Sequence, residues 1–182
     1  QVRALARRPQ PARAGVSWIA GALDDPAALA ELTAGAEAVI HIAGVVNAPD
    51  RAGFAAGNID ETRAIVAATA PGTRFVHVSS LSAREPRLSI YGWSKREAEE
   101  IVAASALAWD MVRPPGIYGP GDMEMLDVFR LARRGFSITP PAGRASWIHV
   151  DDLARLLVVL AETPAERAIY EMDDGREGGW TH

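Results

Sequence analysis

A tyrosine and a lysine stand four residues apart, at Tyr91 and Lys95, where the sequence begins a helical pattern. This spacing places the phenol and the ammonium one turn apart on the same helix face. A nearby ammonium favours the phenolate and so lowers the pKa of a tyrosine, which could then exchange a proton with a substrate hydroxyl or carbonyl. Ser80 ends the apolar run before this helix, and its hydroxyl could hydrogen-bond the same oxygen.

Lys95 is the single lysine of the chain. Of the 19 lysine and arginine residues, the other 18 are arginine. An arginine at this position would keep the charge but present a wide planar fork instead of a compact ammonium. The position therefore favours a specific role for the ammonium. The alternative interpretation is a solvated lysine in the first turns of an ordinary helix.

Apolar runs of strand length alternate with helical patterns along the whole chain. We predict strands at 2–6, 16–21, 38–42, 74–78, 109–114, 147–150 and 169–172, and helices at 25–32, 58–70, 91–106, 123–134 and 152–162. Strands that alternate with helices form βαβ units and a parallel sheet. The fold class is therefore predicted to be α/β.

Polar residues at the helix starts are predicted to be caps. Asn58 is the candidate N-cap of the helix at 58–70, and Asp151 and Asp152 are expected to cap the helix that follows them. On the helix at 91–106 we expect Ala98, Ile101 and Val102 to face the core. We expect the charged side chains to face solvent, at Arg96, Glu97, Glu99 and Glu100.

The composition excludes several classes of function. The net charge is −4 without a basic run, so nucleic acid is an unfavoured partner. The chain has no cysteine, and its four histidines (41, 77, 149 and 182) lack ligand spacing, so we expect no metal site. No apolar run is long enough to span a membrane. We expect a cytoplasmic protein that does not bind membranes.

Ser80, Tyr91 and Lys95 resemble the Ser-Tyr-Lys set of the short-chain dehydrogenase/reductase superfamily. The sequence around them is similar to the extended branch, the NAD-dependent epimerase/dehydratase family. The similar stretches cover nearly the whole chain and include AVIHIAG at 38–44, Asn58, VRPPGIYGPGD at 112–122 and WIHVDDLA at 147–154. The resemblance implies a Rossmann-like, doubly wound parallel sheet with strand order 3-2-1-4-5-6.

The resemblance also assigns roles to residues. It implies that Tyr91 is the general acid/base of hydride transfer, that Lys95 lowers its pKa and binds the nicotinamide ribose, and that Ser80, or alternatively Ser82, orients the substrate oxygen. Cofactor contacts are implied at Arg7, Arg8, Ala22, Leu23, Ala43, Gly44, Tyr91, Lys95, Pro114, Gly116 and Ile117. The family's Gly-Asp-Leu is Gly21-Ala22-Leu23 in this chain, so the adenine contact would fall to the backbone of Leu23.

Two arginines, Arg7 and Arg8, follow the strand that corresponds to the family's second strand. An acidic residue there holds the ribose hydroxyl of NAD, whereas an arginine accommodates the 2′-phosphate of NADP. NADP is therefore the expected cofactor, with NAD as the alternative. The competing interpretation is that both arginines are solvated.

In the family's strand order this chain begins at the second strand, and no GxxGxxG phosphate turn occurs in it. We therefore expect unpaired edges in the middle of the sheet, as in a fragment that lacks its central strand. We predict a Rossmann-like domain at 1–114 and a mixed segment at 115–182. The latter would supply part of a small substrate region and the last Rossmann elements.

The expected function is that of an NAD(P)-dependent oxidoreductase or epimerase/dehydratase. The substrate would be a small molecule with a hydroxyl or carbonyl. Residues 140–146 lack the Arg-Asp-Phe pattern of nucleotide-sugar epimerases, so a ketone, an aldehyde or a sterol-like alcohol is an equal alternative. Two rival hypotheses are a non-catalytic NAD(P)-binding sensor or structural protein and an inactive fragment. The sequence leaves open whether the protein forms a homodimer.

Overall fold

The predicted strands form, and most of them pair in parallel. The computed structural model describes residues 1–123, 126–136, 144–173, 175 and 180–181. The strands are β1 (Val2–Ala6), β2 (Val16–Ala20), β3 (Ala38–His41), β4 (Arg74–Val78), β5 (Ala108–Arg113), β6 (Gly116–Tyr118), β7 (Arg144–Ala145), β8 (Trp147–His149), β9 (Ile169–Glu171) and β10 (Trp180–Thr181).

The helices lie between these strands. They are α1 (Pro26–Thr33), α2 (Arg51–Phe54), α3 (Glu61–Ala68), α4 (Ile90–Ala103), α5 (Leu126–Ala132) and α6 (Val150–Glu162). A π-helical stretch, Ala55–Asp60, joins α2 to α3, and a 3₁₀ turn at Leu81–Arg84 precedes α4. In the described part of the chain, no helix has the length and apolar character to cross a lipid bilayer.

The central sheet has the order β3-β4-β5-β9, and all of its neighbours are parallel. β1 and β2 form a second parallel pair, β6 pairs in parallel with β8, and β7 pairs antiparallel with β10. Crossover helices between parallel strands confirm the α/β class, and the strand order is that of a doubly wound sheet.

A gap separates β1 from β3. Among the described residues neither strand pairs with the other, and no third strand pairs with both. Apolar side chains near these edges are correspondingly open: Val2 is 59% exposed and Ile42 is 62% exposed. Within the described residues, β1 and β3 therefore each have one edge without a partner strand.

Two apolar clusters cover opposite faces of the sheet because successive strand residues point to opposite sides. Phe75 and Met111 pack with Leu29 and Ile65 on the side of α1 and α3. The other face carries the alternate strand residues and α6, namely Val76, Val78, Val112, Ile148, Leu153, Leu157 and Leu160. This helix–sheet–helix layering fixes the carboxyl ends of the strands along one edge.

Two predicted helix starts are wrong. The helix that contains Asn58 begins earlier, at Arg51, and Asp50 caps it by accepting from the Gly53 backbone N–H. α6 begins at Val150, and its N-cap is His149. Asp151 and Asp152 lie in its first turn, near the positive end of the helix dipole, but they are not the cap. Residues 124–125 of the helix predicted at 123–134, and residues 140–143 of the segment 140–146, lie outside the described residues.

Candidate active site

Tyr91 is the second residue of α4, and local hydrogen bonds fix its place. The Ser89 hydroxyl caps the helix by accepting from the Gly92 N–H at 2.9 Å. A Cβ added at Gly92 would lie 2.6 Å from the Ser82 carbonyl oxygen, so only glycine lets α4 pack this closely on the preceding 3₁₀ turn. This packing brings Tyr91 next to Ser80.

The phenol of Tyr91 is partly buried, and this burial raises its pKa. A hydrogen bond with the Ser80 side chain opposes the shift. The expectation that Lys95 lowers the pKa of Tyr91 is therefore wrong for the protein alone, because desolvation disfavours the phenolate more strongly. The phenol is held protonated, which is the form that can donate a proton to a carbonyl oxygen.

Ser80 and Ser82 occupy different environments. Ser80 is half-buried at the start of the 3₁₀ turn, and its hydroxyl oxygen accepts from the Ser82 N–H at 3.2 Å. The side chain of Ser82 is exposed. Ser80 is the serine that lies close enough to Tyr91 to oppose the rise of its pKa.

Lys95 is almost completely buried behind the tyrosine, with 5% of its surface exposed. Its ammonium donates to the Val78 carbonyl oxygen at the end of β4, at 2.8 Å. Burial lowers the pKa of Lys95 to about 8, and the charge of Glu99 opposes this shift. The bond to Val78 uses one of three donor hydrogens, so the ammonium keeps donor capacity for a ligand hydroxyl.

Asn58 ties the loop after β3 to the active-site helix. Its amide oxygen accepts from the Val45 N–H at 2.8 Å, and its NH₂ donates to the Val45 carbonyl at 3.0 Å and to the Ser94 hydroxyl at 2.9 Å. A Cβ at Gly44 would lie 2.6 Å from the Asn58 oxygen and 3.8 Å from the Lys95 nitrogen. Gly44 therefore leaves bare backbone beside the ammonium. Asn58 lies in the π-helical stretch, a form found frequently at functional sites.

Glu99 lies under this site as a buried carboxylate, although its sequence pattern predicts that it faces solvent. Glu99 is 3% exposed, and it accepts from the Ser79 hydroxyl at 2.6 Å and from two nitrogens of Arg113 at 2.8 and 2.7 Å. Glu99 stands four residues after Lys95, so it continues the helix face of Tyr91 and Lys95. That spacing is the signal that could have placed it inside.

Two buried histidines stack on the same face of the sheet. The rings of His41 and His77 are 5.3 Å apart, and the His41 ring bonds the Thr62 hydroxyl at 3.0 Å. Neither ring nitrogen of His77 has a partner within the described structure. Burial, with a smaller contribution from Lys95, lowers the pKa of His41 to about 4, and the pKa of His77 also falls well below its usual value. Both rings are therefore neutral at physiological pH.

The free energy of unfolding is expected to fall as the pH drops from 7 to 5. The folded-state pKa of His41 lies below the unfolded value of 6.5, so the unfolded chain binds more protons in this window. His41 alone should account for about 2 kcal/mol, and His77 adds in the same direction. Urea unfolding at several pH values measures this. His41→Gln should flatten the dependence. An equal slope in wild type and His41→Gln would contradict the account.

A cavity of about 920 Å³ opens beside Tyr91. Among the predicted site residues, those that line it are Ser80, Ser82, Tyr91, Pro114, Gly116 and Ile117. The other predicted contacts lie at the carboxyl ends of the strands: Ala43 and Gly44 follow β3, and Lys95 bonds the last carbonyl of β4. Leu23 packs its side chain into the core, so only its backbone can face a ligand.

Arg7 and Arg8 are exposed after β1, apart from this cavity. Burial raises the pKa of Glu61 at the start of α3, and the charge of Arg7 opposes this shift. No cluster of metal-ligating side chains occurs within the described ranges.

Comparison with known proteins places this geometry in a family. A family model described as NAD(P)H-binding matches residues 1–164. The ceramide reductase of Caulobacter vibrioides (strain NA1000 / CB15N) is 44% identical over 169 residues, which are 91% of this chain and 53% of that protein. The chain thus spans about half the length of the curated relative it matches.

Solved structures share the fold. MoeE5 in complex with UDP-glucose and NAD superposes with a TM-score of 0.81 at 24% identity, over 96% of this chain and 68% of MoeE5. The Bordetella bronchiseptica enzyme WbmH in complex with NAD⁺ gives a TM-score of 0.79 at 19% identity, over 96% of this chain and 67% of WbmH. A double mutant of DesIV, the dTDP-glucose 4,6-dehydratase from Streptomyces venezuelae, gives a TM-score of 0.74 at 22% identity, over 94% of this chain and 61% of DesIV. The chain belongs to the NAD(P)H-binding family, and it shares the fold of these NAD-binding enzymes.

Proposed function

We propose that the protein is an NADP(H)-dependent oxidoreductase that interconverts a carbonyl and a carbinol, with Tyr91 as general acid/base. The observation that carries this proposal is that Tyr91 and Ser80 together line a cavity of about 920 Å³, with the buried Lys95 one helix turn after the tyrosine. The relative named ceramide reductase supports the reducing direction. An epimerase or dehydratase is the second candidate, because the structural neighbours include such enzymes.

The residues at the strand ends fit a dinucleotide. In open α/β sheets such ligands bind at the carboxyl ends of the strands. Gly44 lies at such an end, and a Cβ built on it would lie 3.8 Å from the Lys95 nitrogen, so the glycine leaves bare backbone beside the ammonium. Lys95 would hold the nicotinamide ribose, and Pro114, Gly116 and Ile117 would border the nicotinamide ring. Arg7 and Arg8 would meet the 2′-phosphate of NADP.

The chain's own residues account for proton transfer. When bound, NADPH supplies the hydride that reduces the carbonyl carbon. Tyr91 donates its phenolic proton to the carbonyl oxygen as the C=O π bond breaks, and the resulting phenolate regains a proton from solvent. Ser80 donates a hydrogen bond that orients the same oxygen. Lys95 lies one helix turn after Tyr91 on the same helix face, so it would hold the nicotinamide ribose beside the phenol.

Cofactor preference is expected to depend on Arg7 and Arg8. Hydrogen bonds to charged groups contribute about 1.5–3 kcal/mol, so Arg7→Ala/Arg8→Ala should weaken NADPH binding about 10- to 150-fold and leave NADH binding within about twofold. Cofactor fluorescence titration measures both affinities. Arg13→Ala, which removes another exposed arginine near these strands, is the control. Equal binding of NADH and NADPH by the wild type and the double variant would remove the NADP assignment.

A further inference from the structure

We propose that the cavity beside Tyr91 binds the long apolar chain of a ketone or aldehyde, and not a nucleotide diphosphate. This substrate class rests on the proposed function, because it assumes that the reacting oxygen meets Tyr91. The claim about the cavity itself concerns binding, and it can be tested without turnover.

The described lining of the cavity is mainly apolar. Its apolar members come from several loops and strands: Val46, Leu81, Leu88, Pro114, Pro115, Ile117 and Trp147. Three of them present unusually open surfaces, since Val46 is 58% exposed, Leu88 is 82% exposed and Ile117 is 38% exposed. Apolar side chains gathered at one exposed site mark a binding surface. The volume lies at the upper end of the range for small-molecule sites, which leaves room for an extended chain beside a nicotinamide ring.

A rigid aromatic wall completes this surface. β6 pairs with β8 so that Gly116 stands opposite Trp147. A Cβ at Gly116 would lie 2.5 Å from the indole ring, so the ring packs directly on the glycine backbone. A flat indole held in this way offers apolar area at little cost in side-chain entropy.

The charges of the described lining do not complement a diphosphate. They are those of Arg84 and Glu85, which are opposite in sign. Arg84 also forms an ion pair with Glu171 at 3.5 Å. Diphosphates are held by arginine or lysine clamps that pair with several phosphate oxygens. The described surface provides no unpaired cation for this, whereas the hydroxyls of Ser80, Ser82 and Tyr91 suffice for one carbonyl oxygen.

The test is a series of straight-chain ketones, from 2-butanone to 2-dodecanone, with saturating NADPH. Each buried methylene should raise kcat/KM about threefold to fourfold until the chain leaves the cavity. Leu88→Asp should lower kcat/KM for 2-dodecanone by at least about tenfold, since it places a charge among the apolar side chains. Val158→Asp, which charges an exposed valine on α6 away from the cavity, should change neither the rise in kcat/KM per methylene nor kcat/KM for 2-dodecanone.

Tryptophan fluorescence titration with the same ketones gives a second readout that needs no turnover. Affinity that rises with chain length supports the inference even if no ketone is reduced, and in that case only the proposed function fails. Reduction that is independent of chain length overturns the inference and leaves the function standing. Competitive displacement of the ketones by micromolar uridine diphosphate would also overturn it.

Discussion

Tyr91→Phe is expected to lower kcat by at least about 10²-fold and to leave the Kd for NADPH within about twofold. The substitution removes the phenolic oxygen, which donates the proton, and keeps the ring that packs 6.1 Å from Phe54. Loss of a positioned acid removes stabilisation of the transition state, whereas cofactor binding depends on other groups. NADPH oxidation in steady state and fluorescence titration measure the two quantities.

The matched control is Tyr170→Phe. Tyr170 lies on β9, and its hydroxyl donates to Glu166, away from the cavity. This variant should retain wild-type turnover within about twofold. If Tyr91→Phe were as active as the wild type, the enzyme hypothesis would fail. The alternative of a non-catalytic NAD(P)-binding sensor would then be favoured.

Glu99→Ala is expected to reduce the free energy of unfolding by about 3–5 kcal/mol, because it leaves the buried charge of Arg113 without its bidentate partner. The remaining ion pair of Arg113, with Glu171 at 3.1 Å, is partly exposed and compensates only in part. The Ser79 hydroxyl also loses its acceptor. Urea denaturation followed by circular dichroism gives the value.

The neighbouring residue provides the control for this prediction. Glu100 is exposed and pairs with Arg96 at 3.3 Å, so Glu100→Ala should change stability by less than about 1 kcal/mol. Replacing Glu99 and Arg113 together by leucine and methionine should cost less than Glu99→Ala alone, because no unpaired charge stays buried. A loss below about 1 kcal/mol in Glu99→Ala would show that water reaches Arg113.

Much of the architecture could be predicted because it follows from local patterns. The apolar runs at 2–6 and 74–78 become β1 and β4, and the helix predicted at 25–32 is α1, which begins at Pro26 with Asp25 as its N-cap. Helix starts follow less directly from the sequence. Asn58 has the residue type of a cap, but its buried amide bonds both backbone groups of Val45 instead, because buried polar groups must be hydrogen-bonded.

The α/β class, the family resemblance and the group of residues around Tyr91 follow from the sequence alone, because period, spacing and residue type are local properties. Which charged groups are buried, and how deeply, depends on the packing of the whole fold. Glu99 and the histidine pair are buried by helix and strand packing that no local pattern reports. Desolvation depends on the whole surrounding fold, so it reverses the predicted direction of the Tyr91 pKa and brings that of Lys95 to about 8.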